Sequence, residues 1–263
     1  MMIRMERLRL FRGLWLALVF APAALDAQAA ATDLPPAEEV IDRYIEAIGG
    51  RDVYLSQPAS HATGTFSIPM AGLEATMDIY SDIDPNRMLT VIEIPGMGMV
   101  YEGYTGKYGW ALDPTLGPRL LEGKELASLR EGASTEGSLR DASMFSKRAT
   151  VEETEMNGEA CYKVQLVWNS GRETFDCYSV ESGLRVASET VQSTPMGEIP
   201  VVSLFSDYME FGGILMPTRV RQQMMGNEQV ITVDSVEFGN VGDEQFTPPP
   251  AIRTLIEQEE SGQ

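Results

Sequence analysis

The stretch SHATGTFSIPMAGLEATMDIY, residues 60–80, alternates apolar and polar side chains with a period of two on both sides of a short break. Such alternation is typical of half-buried antiparallel strands, because successive side chains of a strand point to opposite faces of the sheet. The positions predicted to share the buried face are Ala62, Gly64, Phe66, Ile68 and Met70 on the first strand, and Leu73, Ala75, Met77 and Ile79 on the second.

The same pattern continues through most of the chain. In ACYKVQLVW, residues 160–168, the apolar face carries Leu166 and Trp168. Turn signals separate about eleven such segments, among them DPN at 84–86, NSG at 169–171 and FGG at 211–213. Long helices do not alternate with the strands, so a parallel α/β sheet is disfavoured. The sequence predicts a mainly β fold with an antiparallel sheet.

Two segments break the strand pattern. LPPAEEVIDRYIEAIGG, residues 34–50, predicts an amphipathic helix whose apolar face must cover another element. This face carries Val40, Ile41, Tyr44, Ile45 and Ile48. Residues 117–145 are an insertion, for which we expect a short helix over 123–132, containing Leu126 and Leu129, and then a mobile loop. We expect the tail after about residue 250 to be partly disordered.

The first 29 residues have the order of a secretory signal peptide. Four arginines precede the uncharged run LWLALVFAPAAL, and small residues follow at Ala27 and Ala29. The run is 12 residues long, short of the about 20 that a membrane anchor needs. We therefore predict cleavage after Ala29, export to the periplasm, and one mature domain over residues 30–263.

The charge excludes some partners. The chain carries a net charge of −19, and removal of residues 1–29, with four arginines and two acidic residues, leaves −21. Such a field repels nucleic acid and anionic lipid surfaces.

Cys161 and Cys177 lie on two segments joined at NSGR, residues 169–172. An oxidising compartment favours a disulfide between them. A two-residue turn at Ser170–Gly171 would instead place the two side chains on opposite faces, unless a bulge or an asymmetric loop intervenes. The sequence leaves the disulfide open. Two cysteines and one histidine are too few for a zinc site.

The sequence contains none of the common catalytic or phosphate-binding motifs. His61 is the only histidine, and it falls on the polar face of its strand. Abundant carboxylates could supply an acid/base pair, but no pair stands out from the acidic background. We therefore predict a protein that is not an enzyme and that uses no cofactor and no metal.

Methionine and aromatic residues are spread over the strands and loops, and such residues suit cavities that accept varied apolar ligands. In IEIPGMGMVYEGYTGKYGW, residues 92–110, they accompany glycines that let strands bend. The candidate ligand-binding residues are Phe66, Met70, Leu73, Met77, Met97, Met99, Trp110, Leu166 and Trp168.

Four segments occur in an order that resembles the outer-membrane lipoprotein-sorting (LolA-like) proteins, in particular their uncharacterised members. These are PAEEVIDRYIEAIGG, YEGYTGKYGWALDPTLGPRLLEGKEL, CYKVQLVWNSGRETFDCYSVESGLRV and SDYMEFGGILMPTRVRQQMMG. The resemblance covers nearly all of residues 36–248. It implies a strongly curved half-barrel of about eleven antiparallel strands, with helices closing the open face and acyl chains held on the concave side. The candidate lid residues are Ile41, Tyr44, Ile45, Ile48, Leu126 and Leu129.

The first functional hypothesis is a monomeric periplasmic carrier of lipid or of lipoprotein acyl chains. It would work without covalent chemistry, and a membrane protein could act as donor or acceptor. The alternatives are a periplasmic sensor or interaction module that binds a protein partner, and a hydrolase of cell-wall glycan.

Overall fold

A computed structural model describes residues 34–195, 197–239 and 241–262. The predicted signal peptide lies outside these residues. Within these ranges, the chain from Leu34 onwards forms one compact unit. Its helices are α1 (Ala37–Ala47), α2 (Arg51–Leu55), α3 (Gly123–Ala133), α4 (Thr135–Ser138) and α5 (Pro250–Ser261).

The described residues form thirteen strands in one antiparallel sheet, against the predicted eleven or so. The order across the sheet is β6-β5-β4-β3-β2-β1-β13-β12-β11-β10-β9-β8-β7, so β6 and β7 are its two edges. The strands are β1 (Ala59–Ile68), β2 (Leu73–Asp82), β3 (Arg87–Ile94), β4 (Gly98–Tyr104), β5 (Gly109–Asp113), β6 (Gly117–Leu121), β7 (Phe145–Met156), β8 (Glu159–Trp168), β9 (Glu173–Ser179), β10 (Arg185–Thr194), β11 (Gly197–Phe211), β12 (Ile214–Met224) and β13 (Asn227–Phe238).

The sheet is curved and unclosed, as a half-barrel. Helix α3 shows how strong the curvature is. Its Leu129 packs on β4, β5 and β6, while its Glu131 binds the β8–β9 turn and the helix also contacts β10. In a flat sheet, β5 and β10 would lie about 38 Å apart at the usual strand spacing. A helix of eleven residues is only about 16 Å long. The two halves of the sheet, which end in β6 and in β7 and which we call its two limbs, therefore both turn towards α3. The face that α3 covers is the inner face.

Helix α1 also lies on the inner face, where it packs on the edge strand β7 and on its neighbours β8 and β9. The strand register shows that α1 and α3 cover the same face of the sheet, because residues paired across strands share a face. Helix α5 packs on the outer face instead, where Ile252 contacts Leu89 and Trp110.

The insertion at 117–145 is more ordered than the sequence predicts. Residues from 117 form edge strand β6, and the predicted helix is α3. In place of a mobile loop, α4 follows. The Ser134 hydroxyl caps this helix by accepting a hydrogen bond from Gly137 N, and Leu139 anchors its end by packing beneath α1. The segment spans the gap between the two edge strands. The tail, expected to be partly disordered, forms α5 because Ile252 is buried against the outer face.

A disulfide joins Cys161 and Cys177, whose Cα atoms are 5.5 Å apart. Cys161 pairs with Ser179 and Cys177 with Lys163, so the two cysteines are diagonal neighbours on one face. The connection is a three-residue loop closed between Trp168 and Arg172, where the sequence suggested a two-residue turn. A register change of one residue moves every side chain of a strand to the other face, and this brings the cysteines together.

Candidate functional site

The inner face of the sheet carries two rows of apolar residues, one of them including a glycine, that run across the strands. The first row, from β11 to β2, is Phe205, Val220, Ile231, Phe66 and Ala75. The second row, from β13 to β4, is Val233, Gly64, Met77, Ile92 and Val100. Most of these side chains are only partly buried. We call them the apolar rows. They form an apolar floor that the helices leave partly uncovered.

The inner face beneath α1 is different, because it is filled. Val164 and Leu166 are fully buried there, and Trp168 is nearly so. Ile41 and Ile45 of α1 belong to the same buried cluster. This part of the inner face is a packed core. The apolar rows are the part of the inner face that stays open.

A buried ion pair fastens α3 to the far limb of the sheet. Arg172 donates from Nε to Glu131 Oε2 over 2.8 Å and from Nη1 to Thr190 Oγ1 over 3.1 Å. The Ser170 hydroxyl also donates to Glu131, whose side chain is only 4% exposed. In the first turn of α3, Lys124 forms an exposed ion pair with Glu198. We call the Glu131–Arg172 pair the α3 latch.

A charged cluster lies on the inner face next to α1. Asp176 on β9 accepts hydrogen bonds at Oδ2 from Arg140 Nε, 2.7 Å away, and from the Tyr178 hydroxyl, 3.1 Å away. Arg185 Nη1 is 3.7 Å from the same oxygen. Burial opposes ionisation of Asp176, but Arg140 and Arg185 outweigh it and lower its pKa to about 2. Burial raises the pKa of Tyr178 and of the nearby Tyr208, so both phenols stay neutral.

The predicted ligand-binding residues do not form one site. Phe66 and Met77 lie in the apolar rows, and Leu73 shares their face at the start of β2. Leu166 and Trp168 belong to the core beneath α1. The other four lie elsewhere: Met70 and Met97 are exposed at turns, and Met99 and Trp110 are on the outer face.

The predicted lid residues divide between two places on the inner face. Ile41, Tyr44, Ile45 and Ile48 are buried beneath α1. Leu126 and Leu129 of α3 pack on β4, β5 and β6 with Tyr104 and Leu121. Both helices therefore cover the inner face, but over opposite limbs of the sheet.

The outer face has a pocket of its own. A cavity of about 320 Å³ lies between β2–β5 and residues 245–249, and its walls include Met99, Tyr101 and Trp110. Close to it, His61 Nε2 lies 2.7 Å from Asp78 Oδ1, and the imidazole stacks on Tyr80. The sequence correctly places His61 on the polar face.

A cavity of about 610 Å³ lies between the first turn of α3, the β8–β9 turn and strands β9–β11. Lys124, Arg172, Glu189 and Glu198 give it charged walls, and Phe175 and Val201 give it apolar ones. It adjoins the α3 latch.

Several residues of the inner face escape the sequence analysis, notably Phe205, Val220, Ile231 and Arg185. Val220 stands between Arg219 and Arg221, so its periodicity could have indicated it. Phe205 follows Leu204 and Ile231 follows Val230, so alternation alone gives no clear signal for these two. Arg185 has no such signal, because its position depends on pairing with Tyr178.

Two further properties bear on function. No cluster of three or more residues suited to binding a metal ion occurs in the described ranges. None of the helices between residues 34 and 262 that the structure describes is long and apolar enough to cross a membrane.

The fold and the inner face define a half-barrel whose opening is spanned by the segment from α3 to Leu139, which we call the helical bridge. Solved structures that share the fold at low sequence identity include the following three. A LolA superfamily protein from Nitrosomonas europaea is 12% identical with a TM-score of 0.56, over 82% of this chain and 99% of that chain. A putative outer membrane lipoprotein-sorting protein domain from Vibrio parahaemolyticus is 12% identical with a TM-score of 0.55, over 80% and 97%. A DUF1329 family protein from Desulfovibrio piger is 16% identical with a TM-score of 0.54, over 81% and 98%.

The chain therefore has the LolA-like fold, which confirms the fold that the sequence resemblance implies. No family model matches the sequence. No curated protein matches it either.

Proposed function

We propose that the protein is a periplasmic carrier that binds the acyl chains of a lipid or lipoprotein along the apolar rows. The observation that supports this most is the partly exposed apolar floor on the inner face, since apolar side chains left uncovered in a concave surface are typical of ligand sites. The lipoprotein-sorting description of one structural neighbour agrees with such a role. Binding by burial needs no covalent chemistry.

The helical bridge supplies a means of retention and release. The segment from α3 to Leu139 spans the gap between β6 and β7 and is held by the α3 latch and by Arg140. A bound chain would lie beneath this segment. Release would require a state in which the bridge is open, and a membrane-protein acceptor could favour that state.

The experiment is a binding titration of the purified mature protein with fatty acids of increasing length, followed by displacement of a fluorescent fatty acid. Each buried methylene contributes about 0.8 kcal/mol, so the dissociation constant is expected to fall by up to about fourfold per carbon. An affinity that does not depend on chain length would contradict the proposal.

A pair of variants locates the site. Val220→Glu places a carboxylate in the first apolar row, where Val220 is partly exposed, and should abolish acyl-chain binding while the sheet stays folded. Val151→Glu is the matched control, because Val151 is a strand valine that is 41% exposed. Equal binding by the two variants would place the ligand elsewhere. Stoichiometric capture of a protein partner by both variants, with no acyl-chain binding by the wild type, would favour the interaction module.

A further inference from the structure

The geometry points to an anion-binding site at Arg185, which would hold the negatively charged head group of an amphiphile, a carboxylate or a phosphate, whose chain lies on the apolar rows. This inference rests on the proposed function and names the class of ligand. It assigns the two ends of the ligand to different parts of the inner face.

Arg185 is under-used as a hydrogen-bond donor. A guanidinium has five N–H donors. In the described part of the chain, none of those of Arg185 makes a hydrogen bond, and its Nε is buried without a partner. Its one ionic contact among the described residues is the 3.7 Å approach of Nη1 to Asp176 Oδ2. Leaving a partly buried charge so poorly satisfied is costly, and a bound anion would relieve that cost.

The neighbouring charges leave an excess of one positive charge. Asp176 faces two arginines, and Arg140 is the better bonded of the two. Arg140 donates from Nε to Asp176, 2.7 Å away, and from Nη1 to the Gly137 carbonyl, 2.6 Å away. The Tyr178 hydroxyl also donates a hydrogen bond to the Asp176 carboxylate. Arg140 thus fixes the end of α4, while Arg185 keeps its donors available.

The position of Arg185 suits a head group. Its side chain is 19% exposed, which keeps it within reach of a ligand. Its guanidinium lies 4.2 Å over the ring centre of Phe205, which is the first residue of the first apolar row. An anion bound at Arg185 would therefore place the start of its acyl chain at Phe205. The planar fork of the guanidinium matches the oxygens of both carboxylate and phosphate.

The test compares three ligands with the same sixteen-carbon chain: palmitate, hexadecyl phosphate and hexadecanol, titrated at alkaline pH. The wild-type protein should bind the two anions roughly ten- to hundredfold more tightly than the alcohol. Arg185→Gln should bind all three as weakly as the wild type binds the alcohol, and Arg185→Lys should retain part of the preference. Arg219→Gln, on the outer face of β12, is the control and should behave as the wild type.

The outcomes separate the two proposals. Tighter binding of palmitate or of hexadecyl phosphate identifies the head group as carboxylate or phosphate, and either supports the site. Equal wild-type affinity for the anions and the alcohol, or an unchanged preference in Arg185→Gln, would overturn the anion site and leave the carrier proposal intact. Failure to bind any of the three would contradict the carrier proposal itself. If Arg185→Gln does not fold, the wild-type comparison and Arg185→Lys still decide.

Discussion

Arg140, two residues after α4, donates a hydrogen bond from Nε to Asp176 Oδ2 on β9 over 2.7 Å, and so ties the helical bridge to the inner face of the sheet. Asp176 is only 1% exposed, and Arg140 and Arg185 are the cations that neutralise it. Since breaking a buried pair leaves an unpaired charge behind, the contact should matter both for folding and for the closed bridge.

Removal of this carboxylate should destabilise the protein strongly. We expect Asp176→Asn to lower the free energy of unfolding by about 3–5 kcal/mol, because two arginines then lack a buried counter-charge. Urea denaturation followed by circular dichroism measures this. Asp42→Asn, on the exposed side of α1, is the control and should change stability by less than about 0.5 kcal/mol. Similar losses in both variants would show that the cluster has no special role.

The same residue predicts a dependence on pH. The pKa of Asp176 falls from an ordinary 3.8 to about 2 in the folded state, so the folded protein binds this proton less readily than the unfolded chain. The stability that Asp176 provides should be fully present above about pH 5 and should be lost as the pH falls from there towards 2. The difference in unfolding free energy between wild type and Asp176→Asn should shrink over this range. A constant difference down to pH 2 would show that Asp176 does not titrate as described.

The disulfide should stabilise the sheet at β8 and β9. Cys161 and Cys177 are 16 positions apart in the sequence, and for a loop of this length the loss of chain entropy in the unfolded state corresponds to about 3 kcal/mol. Replacement of both cysteines by serine should lower the unfolding free energy by about this amount. The wild type measured under a strong reductant should match the double variant. Identical stability with and without reductant would contradict this prediction.

The α3 latch should control the opening of the bridge. We expect Glu131→Ala to reduce the hydrogen-exchange protection of the α3 amides by more than tenfold, since Arg172 loses a buried partner. Release of a bound fatty acid should become faster in the same variant. Lys124→Ala removes an exposed pair of the same helix and should have little effect on either measurement. Unchanged α3 protection in Glu131→Ala would show that other contacts hold the helix.

Helix α1 should act as core more than as a movable lid. Ile45 is 6% exposed and belongs to a cluster with the fully buried Val164 and Leu166. Ile45→Ala should therefore cost about 2–5 kcal/mol of global stability, and Ile45→Asp more. Leu55→Ala, at the exposed end of α2, is the control. Loss of acyl-chain binding by Ile45→Ala without a change in the melting temperature would instead support a lid.

Much of the fold follows from local patterns. The alternation in residues 60–80 gives β1 and β2 with the predicted faces, and the apolar stripe from Val40 to Ile48 gives α1. The candidate site could be predicted only in part. Phe66 and Met77 lie in the apolar rows, but Trp110 has the same apolar character and is covered by α5 on the outer face. A single strand shows which residues share a face, but not which face becomes the inside of a curved sheet.

The sequence by itself determined the strands, their two faces, the first helix and the charge of the chain, because these depend on residues close to one another along the chain. The tertiary structure decided the register at the β8–β9 turn that joins Cys161 to Cys177. It also decided the curvature that lets α3 reach both limbs, and the isolation of Arg185 beside Phe205. These features depend on contacts between distant segments, such as Arg140 with Asp176, and chain periodicity carries no information about which distant segments meet.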